Sequence, residues 1–96
     1  SLDDWLRGLP ASGDYESIEI DQEGRLIYLR QAGWEISYDE FMLVGNLTLP
    51  KRIQLTAQPK TIDALVSTGY LAGDRLVLKV FVENWQNSVS KQVLSQ

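Results

Sequence analysis

Ninety-six residues are enough for one domain, and a composition 44% hydrophobic and 23% charged belongs to a chain with a core to bury. Thirteen acidic against nine basic residues give a net charge of −4, with the basic ones scattered, which argues against nucleic acid as a partner. The chain has no Cys and no His, so disulfides, thiolate metal sites, a cysteine nucleophile and the usual general base drop out, and no cofactor, metal centre or enzymatic activity is expected.

Residues 1–9 predict a short helix. Ser1 is placed to cap it, Asp3 and Asp4 sit in the first turn where the helix dipole favours negative charge, and Leu2, Trp5, Leu6 and Leu9 share one face. Gly8 and Pro10 stop it. The period then changes to alternation. Residues 15–22 and 25–32 predict two strands around a turn at residues 21–24; the second, apolar at successive positions 26–29, reads as covered on both faces. Gly33 ends it. Residues 34–44 carry the clearest pattern, with Trp34, Ile36 and Tyr38 on one side and Glu35, Ser37 and Asp39 on the other. A Gly45-Asn46 turn follows, Pro50 interrupts, and residues 51–57 predict a strand with Ile53, Leu55 and Ala57 on one face, ended by Pro59. Thr61 is placed to cap a short helix bearing Ile62, Leu65 and Val66, stopped at Gly69. Residues 75–83 close the pattern with Leu76, Leu78, Val80 and Val82 on one face, and residues 86–96 form a polar tail. Short linkers between strands imply antiparallel hairpins, so the fold class is mainly β, with one domain over residues 1–85.

No apolar run approaches the ~18 residues that cross a bilayer as a helix. The chain opens at Ser1 with no signal-peptide pattern, as a processed or truncated start would.

Several stretches together resemble the LolB family. They are the opening helix with its Trp5 followed by Gly8-Leu9-Pro10, the Trp34-x-Ile36-x-Tyr38 strand, Leu49-Pro50 leading to Ile53-x-Leu55, and Leu76-x-Leu78-Lys79 with Trp85 beyond. The resemblance covers most of residues 1–85. It implies part of an open antiparallel β-barrel with a short N-terminal helix over its apolar face. It also implies a role: LolB-like proteins accept lipoproteins from the carrier LolA and place them in the outer membrane, on its periplasmic side, holding acyl chains in an apolar cavity. Dry apolar walls suffice for that, since each buried CH₂ contributes about 0.8 kcal/mol. On this basis Trp5, Leu6, Leu9, Trp34, Ile36, Tyr38, Ile53, Leu55, Leu76 and Leu78 are the candidates for cavity or lid. The family's N-terminal half, including its exposed apolar loop, is missing from the pattern, and residues 59–74 read as an insertion. A half-barrel would present an unpaired edge and an open apolar face, which a second copy or the missing half would complete.

Each candidate has a plainer reading. Apolar stripes on a helix or strand ordinarily fill a core. Phe41, Met42, Leu43 and Val44 form either an exposed loop touching lipid or a partner, or a strand buried on both faces. Asp3-Asp4 is explained by helix charge, and Asp39 and Glu40 point to opposite faces of a strand, so neither pair makes a catalytic dyad. Lys51-Arg52 reads as a solvated strand end, and the Asn46-Leu47-Thr48 glycosylation pattern is common. The alternative to lipid handling is a structural or protein-binding β-domain, a homodimer in its simplest form, that keeps the sheet without lipid transfer.

Overall fold

The computed structural model describes residues 2–83; the Ser1 cap, Trp85 and the tail 86–96 lie outside them. The elements run α1 (Leu2–Leu6), β1 (Ser17–Ile20), β2 (Leu26–Gln31), β3 (Trp34–Val44), β4 (Leu47–Ala57), α2 (Pro59–Ser67) and β5 (Val77–Phe81). The strands form one five-stranded antiparallel sheet in sequence order. Every neighbour in the sheet is a neighbour in the chain, through short connections from β1 to β4 and through α2 and its flanking loops from β4 to β5.

Alternation in the sequence becomes rows across the sheet. Ile18, Leu29, Ile36, Leu55 and Leu78 stand side by side on all five strands, with Tyr38, Ile53 and Val80 in the next row. The opposite face carries Tyr28, Ser37, Gln54 and Lys79. The apolar rows are packed with Trp5 and Leu6 of α1 into one core, in which Leu29, Ile36 and Ile53 are fully buried. The middle of this face is therefore closed, not open as a bare half-sheet would leave it.

Hydrogen bonds hold the helix segment on the sheet. Gln31, at the end of β2, is 2% exposed. Its side-chain oxygen accepts from Trp5 Nε1 at 2.9 Å and from the Ala11 backbone N–H at 2.8 Å. Its amide nitrogen donates to the carbonyls of Ala11 at 2.8 Å and Asp14 at 3.3 Å. The Tyr38 hydroxyl donates to the Trp5 carbonyl from the next strand. Burial pushes the Tyr38 phenol well above its ordinary range, so it stays a neutral donor.

Several boundaries differ from those expected. Helix α1 ends at Leu6, where the N–H groups of Gly8 and Leu9 turn back to the carbonyls of Trp5 and Asp4 at 3.0 Å each. Gly8 takes a φ of 78°, which this Schellman closure requires. Leu9 is swung off the helical stripe as a result and is 52% exposed. Strand β4 begins at Leu47 and runs through Pro50, which pairs with Phe41. Pairing to β5 extends only as far as Arg52, so at Pro50 the strand has lost one neighbour, and a residue without an N–H is tolerated there. Helix α2 starts at Pro59, with Gln58 as its N-cap residue and not Thr61. The Thr61 hydroxyl instead donates to the Gly33 carbonyl at 2.7 Å. Strand β2 is covered on one face, not two: Ile27 is the extra residue of a bulge in β2, opposite Glu19 and Ile20 of β1, and Ile27 and Tyr28 are half-buried.

The β2–β3 turn has a weak point. Ala32 and Gly33 both have positive φ, 53° and 88°, as a two-residue type I′ turn needs. Alanine is strained in that region and Asn is not. Ala32→Asn at this exposed position is expected to stabilise the chain by about 0.5–1 kcal/mol in urea unfolding; an unchanged or lower midpoint would refute the turn assignment. Gln31→Ala is expected to cost about 2–4 kcal/mol, since it strands the Trp5 indole and both Ala11 backbone groups in the interior. A loss under about 0.5 kcal/mol would show that water replaces the amide at no cost.

Candidate functional site

Two depressions flank the sheet. One, of about 370 Å³, lies on the polar face among Ser37, Asp39, Arg52, Gln54, Lys79 and Phe81. Its charges are largely self-matched. Arg52 lies 3.5 Å from Glu40 and 3.8 Å from Asp39, and its guanidinium sits 5.3 Å over the Phe81 ring. The other, of about 500 Å³, is walled mainly by apolar groups. Both fall within the ~300–1,000 Å³ of small-ligand clefts, but only the second offers apolar walls with a few charged side chains in its lining.

Three segments build the second cleft. The exit of α1 supplies Arg7, Gly8 and Leu9; the β1–β2 turn supplies Glu23, Gly24, Arg25 and Leu26; and the β3–β4 hairpin supplies Phe41, Leu47, Leu49 and Pro50. A pair of compensating bulges aims the hairpin. Asp39 is unpaired on β3 and Lys51 on β4, each between the Tyr38–Ile53 and Phe41–Pro50 pairs. Gly8 closes the back of the cleft: a Cβ there would stand 3.0 Å from the Pro50 ring.

The β1–β2 turn is held by Asp21. One of its carboxylate oxygens accepts from the backbone N–H groups of Glu23 at 3.0 Å and Arg25 at 2.9 Å, and the other meets Arg25 Nε at 2.7 Å. The Arg25 guanidinium then lies 4.9 Å over the Phe41 ring, joining the turn to the root of the hairpin. These bonds to the charged carboxylate, first of all that from the Arg25 backbone N–H, hold the Asp21 carboxyl below its ordinary value of 3.8.

The sequence-predicted site residues do not gather at this cleft. Trp5, Leu6, Ile36, Tyr38, Ile53 and Leu55 are buried in the core, with Trp34 and Leu78 packed against it. Leu76 is half-buried just before β5, where its carbonyl accepts from the Ala57 N–H at 3.0 Å. Of the ten, Leu9 alone lines the cleft. The run 41–44 is a strand, as one reading had it, but it is not buried on both faces: Leu43 is 76% exposed. Leu26, Leu47 and Leu49 line the cleft without having been singled out as site residues in the sequence, whereas Phe41 lies in the run 41–44 that was. Phe41, Leu47 and Leu49 lie in a run without charge, residues 41–50, but residues 64–73 form an equally long one that does not line the cleft, so that signal alone does not single them out.

The sequence pattern of one family, described as "Outer membrane lipoprotein LolB", matches residues 1–85. Among curated proteins the chain is similar to one from Coxiella burnetii, 33% identical over 85% of this chain and 31% of the relative. It is also similar to one from Alkalilimnicola ehrlichii, 35% identical over 71% of this chain and 34% of the relative. A third, from Chromohalobacter salexigens, is 43% identical over 58% of this chain and 26% of the relative. Each is named "Outer-membrane lipoprotein LolB". The chain spans about a third of the length of these relatives. No solved structure matches it.

The Asp21 carboxyl gives a test of the turn that walls the cleft. A depressed carboxyl contributes stability that is present above its unfolded value and is lost as pH falls through its folded value. The Asp21 carboxyl carbon is therefore expected to titrate by NMR with a midpoint below 3.8. Asp21→Asn is expected to flatten the acid limb of the stability profile below that pH. A midpoint at or above 3.8 would mean that the turn is not held in solution.

Proposed function

The chain belongs to the LolB family, and from that premise we propose that it handles lipoproteins at the periplasmic side of the outer membrane, by sheltering acyl chain in the apolar cleft between α1 and the β3–β4 hairpin. The observation that carries this reading is the cleft itself: about 500 Å³, walled by Leu9, Leu26, Phe41, Leu47, Leu49 and Pro50, with Arg7, Glu23 and Arg25 also lining it. Acyl chain asks for area removed from water and nothing more, at about 0.8 kcal/mol per CH₂. The cationic side chains in its lining suit the polar end of a lipid-modified protein. A binding module rather than an enzyme is what such a site serves, and a LolA-type carrier would hand the lipid over at its mouth. Edge strands β1 and β5 are where the rest of a full-length relative, or a second copy of this chain, would continue the sheet.

One observation favours the second reading, a β-domain that has kept the sheet without lipid transfer. The middle of the apolar face is filled by its own side chains, with Ile36 and Ile53 at 0% exposure. A single titration separates the two. A fluorescent fatty acid is expected to bind the chain and to be displaced by a diacylated peptide. Leu49→Glu is expected to weaken that binding by about tenfold or more, because it sets an unpaired charge on the cleft wall. Circular dichroism checks that the variant is folded. A wild-type chain that does not bind the probe, or a variant that binds it equally well, would leave the structural reading standing.

A further inference from the structure

The β3–β4 hairpin outruns the sheet that carries it. Pairing of β2 to β3 ends at the Tyr28–Ser37 pair, and pairing of β4 to β5 ends at Arg52–Phe81. The Val82 N–H still reaches the Lys51 carbonyl at 2.9 Å, and from Phe41–Pro50 out to Val44–Leu47 the two strands pair only with each other, among the described residues. The sequence of this arm, FMLVGNLTLP over residues 41–50, contains no charged side chain. Charge returns abruptly at its root with Asp39, Glu40, Lys51 and Arg52.

Near its end the arm exposes Leu43 at 76% and Leu47 at 62%. Exposed Tyr15 and Ile20 sit between charged neighbours, and Val66 and Tyr70 lie in an uncharged run of equal length, residues 64–73, which belongs to helix α2 and the turn after it and not to a strand pair leaving the sheet. A contiguous uncharged projection is not ordinary, and it marks a surface that meets something apolar.

We propose that this arm, residues 41–50, dips into the surface of a lipid bilayer, with the charged ring at its root marking the water line. The inference rests on the outer-membrane reading above for where the bilayer is, but not on the acyl cleft. Four residues of strand reach about 13 Å, which covers the ~5–10 Å by which interfacial elements enter the headgroup and acyl boundary. The arm's outward backbone groups have no third strand to bond, so it enters only as far as water still follows. The chain's net charge of −4 gives no general attraction to an anionic surface, so the contact is apolar in origin and insensitive to salt.

The chain has no Cys, so Leu43→Cys and Gln54→Cys each give one site for an environment-sensitive dye, on the arm and on the polar face respectively. With vesicles of phosphatidylethanolamine and phosphatidylglycerol, the dye at position 43 is expected to shift to the blue and the dye at 54 to stay unchanged. The unlabelled chain is expected to float with the vesicles equally in low and high salt. Leu43→Asp is expected to lower that partition by at least about tenfold, while binding of the fluorescent fatty acid is unchanged, since Leu43 does not line the cleft. A chain that binds the fatty acid but does not float overturns this inference and leaves the cleft reading intact. So does flotation that high salt abolishes, or a blue shift at position 43 that needs no vesicles and accompanies a dimer mass. Flotation lost in Leu43→Asp, with no fatty-acid binding by either chain, sustains the inference and removes the cleft reading.

Discussion

The buried amide of Gln31 is what makes the sheet a closed body. An antiparallel sheet with one apolar face is not stable on its own, because that face must be covered. Here the cover is a helix of five residues, too short to hold its shape by its own hydrogen bonds. Gln31 supplies what the helix lacks. Its amide satisfies the Trp5 indole and both polar groups of the Ala11 backbone, so the segment is fixed at either end of its crossing. Tyr38 holds the Trp5 carbonyl between them. A polar residue at a core position is a cost unless every group on it is matched, and this one bonds through both its oxygen and its nitrogen.

The cleft follows from the same constraint. Once Trp5 is fixed, the Schellman closure at Gly8 sends the chain toward Pro50, and Leu9 is left at the rim instead of under the helix. The far wall is set independently, by the Asp21 turn and by Arg25 over Phe41.

Much of the fold was legible because its signals are local. The alternation from Trp34 to Tyr38, the turns at Gly33 and Gly45, and the helix stops at Gly8 and Gly69 each depend on a few adjacent residues, and the structure has them where the pattern put them. What was not legible depends on where strands end relative to one another. Pro50 reads as a break, and it sits inside β4 only because β5 stops short of it. Thr61 reads as a cap, and it was drawn away by the Gly33 carbonyl, which is near only in three dimensions. Gln31 is one polar letter in a strand, and nothing along the chain announces that an indole and a backbone turn will converge on it.

The division between core and cleft has the same origin. The strongest sequence signal, the aromatic and branched stripe of β3, was consumed by packing, because a clean alternation is what fills the middle of a sheet. The cleft is made where alternation fails. Bulges at Asp39 and Lys51 shift the register once on each strand, and the shift leaves Phe41 packed at the border of the core and carries Leu47 and Leu49 beyond it without ending the hairpin. Two bulges, one per strand, keep the strands level while changing which way they point. Regular strand therefore fills the core and irregular strand shapes the cleft. The division is not complete: Leu26 belongs to the buried core and Phe41 packs against it, yet both line the cleft, whereas Ile36 and Ile53 at 0% exposure have no surface left to offer a ligand.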